Sequence, residues 1–77
     1  MIHYQDHITS NRQVMLGKPV IKGTRITVEL ILQLLSEGAT IEDLLTMYPH
    51  LERDNILGAL NYAALVIANE EMIEMTA

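Results

Sequence analysis

From Val28 onward the apolar residues of this chain recur at helical spacing, and before it they do not. Up to about Thr27, β-branched residues and turn residues mix without a helical period. Ile8-Thr9 and Val20-Ile21 read as short strands, with Ser10-Asn11 and Gly17-Lys18-Pro19 as turn chemistry between and beside them. The strands can pair with each other or with those of a second subunit. Val28, Ile31, Leu34 and Leu35 then form one stripe of a first helix. Leu30 and Leu32 make that helix apolar almost all round, which predicts burial on more than one side. Glu37-Gly38 ends it, because Gly38 suits the left-handed position after a helix.

Thr40 opens a second helix, its hydroxyl capping free amides, and Asp43 three residues on comes close to completing a capping box. Ile41, Leu44, Leu45 and Tyr48 form the i, i+3, i+4, i+7 stripe. Pro49 stops this helix, since proline has no amide to donate. A third helix is predicted from Leu51 or Glu52 to Ala68, with Ile56, Leu60, Ala63 and Ile67 on one face and Leu57 and Ala64 beside them. Gly58 weakens it by about 1 kcal/mol relative to alanine, which fits either close approach of another backbone or a position indifferent to packing. The acidic tail, residues 69–77, continues the helix or frays, with Met72 and Ile73 as an apolar pair suited to docking. The expectation is a single domain over residues 1–77, mainly α: a three-helix bundle with a short N-terminal β element.

Length and composition sharpen this picture. A chain of 77 residues buries only about 60–65% of the surface its unfolded form exposes. Domains of this size lean on staples, metals or partners, and the absence of cysteine leaves a partner subunit or protein as the expected support. With three Tyr and no Phe or Trp, the core is built from aliphatic residues. No secretion signal and no apolar run of membrane-spanning length is visible, so a cytoplasmic protein is expected. The net charge is −5, unevenly spread. Through residue 25 the chain carries Arg12, Lys18, Lys22 and Arg25 against Asp6 alone, and beyond it Arg53 alone against nine carboxylates. An acidic body fits a basic partner.

Four chemical motifs can be weighed. Five residues separate Gly17 from Gly23, and Thr24 follows without the lysine a phosphate loop requires, so a P-loop is excluded. A dinucleotide fingerprint is excluded for want of a βαβ unit. The glycines, Pro19 and Thr24 therefore serve the backbone: an extended entry, a short strand, a sharp turn at Gly23, and a Thr24 hydroxyl bonded to nearby backbone. Arg25 is expected to bridge to a carboxylate of the helical body. His3, Asp6 and His7 form a metal set only if helical, and the segment shows no helical pattern, so no metal or cofactor is expected. His50 is expected to cap or to be solvated. No Ser, Thr or His stands in a nucleophilic set, and a non-enzymatic protein is expected.

The helices either side of Tyr48-Pro49-His50 match helix-turn-helix spacing. Glu52-Arg53-Asp54-Asn55 at the start of the second, with Glu42 and Asp43 on the first, repels a duplex, because affinity for DNA scales with phosphates neutralised. Asn55 and Asn61 can read adenine in principle, although a solvated helix surface is the plainer role for both. DNA binding is expected only from a dimer or complex that gathers Arg12, Lys18, Lys22, Arg25, Arg53 and Asn55.

"GKPVIKGTRITV", Gly17 to Val28, followed by Gly38 to Glu42, Tyr48-Pro49 and Leu57 to Ala63, closely resembles the small bacterial proteins of domain-of-unknown-function family 433. The likeness covers about Ile8 to Ala68. It implies a homeodomain-like or winged-helix-like three-helix core with an N-terminal strand element, a homodimer, and an antitoxin that neutralises a PIN-like ribonuclease. No catalytic or ligand residues are established for that family, so none are carried over. The chain departs from it at Glu52, where the family places Thr or Ser, and in its acidic helix surface. The expected mechanism is RNA mimicry: Glu42, Asp43, Glu70, Glu71 and Glu74, with Met72 and Ile73, occupy the nuclease's basic groove. A helix-turn-helix DNA-binding regulator and a stand-alone interaction module are the alternatives.

Overall fold

The computed structural model describes residues 1–69. It is mainly α, with the expected β element at its head. Strands β1 (Ile8–Thr9) and β2 (Val20–Ile21) pair with each other, antiparallel, in the register Ile8↔Ile21 and Thr9↔Val20. Helices α1 (Val28–Ser36), α2 (Ile41–Met47) and α3 (Arg53–Asn69) follow. Ile8, Ile21, Val28, Ile31, Leu44, Leu51, Ile56 and Ala59 meet in one buried cluster, so every strand and helix contributes to a single core.

The turns form where the sequence places them. Gly23 adopts φ 77°. Beside it the Thr24 hydroxyl donates to the Ile21 carbonyl at 2.8 Å and accepts from the Ile26 amide at 3.0 Å. Thr27, itself buried, accepts from the Leu30 amide at 3.0 Å and so starts α1. Thr40 and Asp43 complete a full capping box: the Asp43 amide donates to the Thr40 hydroxyl at 3.1 Å, and the Thr40 amide to the Asp43 carboxylate at 2.9 Å. Gly38 sits at φ 102°, past the end of α1, a conformation that costs glycine nothing.

Three expectations are corrected. Helix α1 is one-sided: Val28 and Ile31 are buried while Leu30 is 37% exposed. The buried face of α3 is not the Ile56, Leu60, Ala63, Ile67 stripe. It runs through Ile56, Gly58 and Ala59 to half-buried Tyr62 and Ala63, and leaves Leu60 and Ile67 exposed. Counting large apolar residues overlooked that small ones allow the closest approach, and closest approach decides which face is inside. The head also contains two 3-10 turns, Tyr4–Asp6 and Met15–Gly17, that no periodicity announced.

The turn before β2 has its own backbone signature. Met15, Leu16 and Gly17 lie in succession at φ 48°, 57° and 85°. The left-handed region costs a side-chain-bearing residue roughly 1 kcal/mol, and Leu16 adopts it while 93% exposed.

Candidate functional site

Helix α3 carries an unusual face: Asn55, Asn61 and Tyr62 each stand three or four residues from Gly58 and border the same side. The chain's own N-terminal segment docks there. The Tyr4 amide donates to Asn61 Oδ1 at 3.0 Å, and the Tyr4 and Tyr62 rings meet edge to face, 5.3 Å apart at 71°. A Cβ placed on Gly58 would lie 2.7 Å from His7 Cβ, so the glycine makes room for the histidine. The close approach at Gly58 is thus real, but the visitor is a side chain rather than a backbone. His7 also anchors the strands, its carbonyl accepting the Lys22 amide at 2.8 Å.

Asn55 has both ends of its amide engaged. Oδ1 accepts the Glu52 amide at 2.8 Å, and Nδ2 faces His7 Nδ1 at 3.2 Å. The first bond satisfies the backbone just ahead of α3, where Glu52 replaces the expected hydroxyl cap. It also fixes the amide's orientation, so Nδ2 is the donor and His7 Nδ1 the acceptor. The His7 proton is therefore expected on Nε2. A long-range proton–nitrogen correlation spectrum should show the Nε2–H tautomer, and an Nδ1–H pattern would contradict this bond. Asn55 and Asn61 are half-buried and bonded within the fold, which corrects their reading as solvated helix surface.

The expected basic contacts are scattered over the head and the start of α3. Lys18 reaches Glu29 on α1 at 2.9 Å, and this hydrogen-bonded ammonium holds the Glu29 carboxyl below its ordinary range. Among the described residues Arg25 has no carboxylate partner; the bridge from head to helices is made by Lys18 instead. Arg12, Lys22 and Arg25 are exposed. Arg53 approaches Glu42 at 3.6 Å, a contact between the first turns of α2 and α3, where Asp43 and Asp54 also stand, with Glu52 just ahead of α3. Glu70, Glu71, Met72, Ile73 and Glu74 lie outside the described residues. Gly17, Pro19 and Pro49 take the turn positions expected of them, and His50 is exposed in the turn before α3. Among the described residues no three His, Asp or Glu side chains gather as a metal would require, and no helix is long and apolar enough to cross a membrane.

Two clefts stand open among the described residues. One, of about 440 Å³, lies in the head beside Asn11, Thr24 and Arg25. The other, of about 490 Å³, runs between α1 and α3. Its walls are Val28 and Leu32 from α1 and Tyr62, Val66 and Ile67 from α3, with Pro19 at one end and Glu29 on the rim. Beyond Tyr62 the helix exposes Leu65, Val66 and Ile67 together. Sequence periodicity assigned Ile67 to the core and so concealed this face.

A family model described as "Protein of unknown function (DUF433)" matches residues 8–63 of the chain. No curated protein and no solved structure matches it significantly.

Proposed function

Because the chain belongs to the DUF433 family, whose function is unknown, we propose a role from its surfaces: it is a non-enzymatic, homodimeric, antitoxin-like protein that binds and neutralises a PIN-like ribonuclease. One observation carries the reading. The described helical body presents an open apolar cleft between α1 and α3 and exposed carboxylates at the first turns of α2 and α3. Acid at helix N-termini also suits the helix dipole, so its position alone is ordinary. Its meaning comes from the near absence of cations beside it, Arg53 being the one basic residue after Arg25.

A ribonuclease binds a polyanion and presents a basic groove to do so. Glu42, Asp43, Glu52 and Asp54 are exposed and spaced along two helix starts, so they offer that groove negative charge without a scissile bond. Asp43 also holds the capping box, which makes Glu42 the better residue to test. The regulator reading draws less support, because Lys18 and Arg53 face carboxylates and the Asn55 amide is engaged within the fold.

The test begins with affinity capture of the tagged chain from its native cytoplasm, read by mass spectrometry, followed by an RNA-cleavage assay on the captured nuclease. Saturating chain is expected to suppress cleavage, and the complex to weaken with salt as screened charges do. Glu42→Lys is expected to weaken it by about tenfold, roughly the coupling of one interfacial charge pair. Unimpaired cleavage would sink the antitoxin reading. A nuclease whose contact surface proves apolar and acidic would sink the RNA mimicry alone.

A further inference from the structure

We propose that the Met15–Leu16 turn of one copy seats in the α1/α3 cleft of a second copy, and that the pairing is two-fold. This rests on the homodimer in the reading above and not on the nuclease. Leu16 is 93% exposed and Met15 42% exposed, both held outward by left-handed backbone. Among the described residues no core contact accounts for that arrangement. A knob of this kind needs an apolar socket, and the α1/α3 cleft is an open apolar one, walled by Leu32, Tyr62, Val66 and Ile67.

Charge selects the occupant. The knob is flanked by Arg12 and Lys18, and no carboxylate occurs between Asp6 and Glu29. The socket is edged by Glu29, Glu37 lies at the end of the same helix, and neither α1 nor the length of α3 beyond Arg53 carries a cation. A basic-flanked apolar knob and an acid-edged apolar cleft are complementary where the Lys18–Glu29 pair, made within the chain, is exchanged between copies; Arg12 and Glu37 stand outside that pair, and both surfaces belong to this chain. They also adjoin, since Pro19 closes the end of the cleft only three residues after Leu16. A two-fold axis beside that junction satisfies both sockets at once, as an isologous interface requires. The Lys18–Glu29 bridge stands between knob and socket and is placed to exchange partners across the axis.

The experiment is sedimentation of the full chain over a concentration series, for the natural sequence, Leu16→Gly and Ile67→Gln. Glycine adopts the Leu16 conformation without strain, and Ile67 is 68% exposed, so both variants are expected to keep the helical circular dichroism of the parent. Each is expected to raise the dimer dissociation constant at least about tenfold, as loss of a central anchor does. In a mixture of isotope-labelled and unlabelled chains, filtered spectra are expected to show Leu16 methyls against Val66 or Ile67 of the other copy. A natural sequence that stays monomeric overturns this interface and the homodimer together. A dimer indifferent to both changes overturns the interface and leaves the homodimer standing, and so does a cleft contacted by residues 70–77 of its own chain.

Discussion

Gly58→Ala is expected to destabilise the protein by roughly 1–3 kcal/mol, the usual cost of forcing atoms into a packed site, although helix propensity alone favours alanine by about 1 kcal/mol. The two effects oppose each other, and distance decides between them. The new methyl would stand 2.7 Å from His7 Cβ and 3.0 Å from Cγ. A Cβ is fixed by the backbone and cannot swing aside, so either the N-terminal segment lifts or the helix shifts. Lifting the segment forfeits the Tyr4–Asn61 bond, the Tyr4–Tyr62 contact and the His7–Asn55 pairing together. The measurement is the urea midpoint of the natural sequence, Gly58→Ala, and both combined with changes at residue 7. His7→Ala keeps the offending Cβ and should leave the penalty in place, whereas His7→Gly should remove it. That difference is the coupling a double-mutant cycle reads. A Gly58→Ala protein more stable than its parent would show that the segment does not dock as described.

The features the sequence disclosed and those it hid divide along a physical line. Both strands, the three helices and the stops of α1 and α2 follow from local chemistry: Thr40 caps, Gly38 and Pro49 terminate, Gly23 turns. Each of these acts within a few residues, so a single sequence reports it. The docking of residues 4–7 on α3 pairs Tyr4 with Asn61, which lies 57 residues away, and no local pattern encodes such a meeting. A signal does exist in hindsight. Asn55, Gly58 and Asn61 interrupt an otherwise apolar helix at regular spacing, and so small and polar a stripe marks a face where something packs closely and bonds. Side-chain direction was equally out of reach. Lys18, not Arg25, meets α1, because the turn at Met15–Gly17 sets where the residues after it emerge. Two side-chain-bearing residues in left-handed conformation carry no compositional warning.

Adjacent substitutions in α1 are expected to differ severalfold in cost. Ile31→Ala should remove about 3–4 kcal/mol, within the range for emptying a buried aliphatic site, because Ile31 is 0% exposed at the centre of the core cluster. Leu30→Ala should cost under about 1 kcal/mol, as surface changes do, since Leu30 is 37% exposed and alanine is the better helix former. At roughly 0.05–0.15 kcal/mol per residue, a chain of 77 residues has about 4–12 kcal/mol to lose, so Ile31→Ala removes at least about a quarter of it while Leu30→Ala leaves it folded. Chemical denaturation of the two variants side by side checks this, at several protein concentrations so that association and folding are separated. Sequence periodicity, with leucines nearly all round the helix, predicts two comparable losses. Equal losses would mean that α1 is covered on its Leu30 side too. Because Leu30 lies outside the cleft, that cover would have to be a second interface, distinct from the knob and socket.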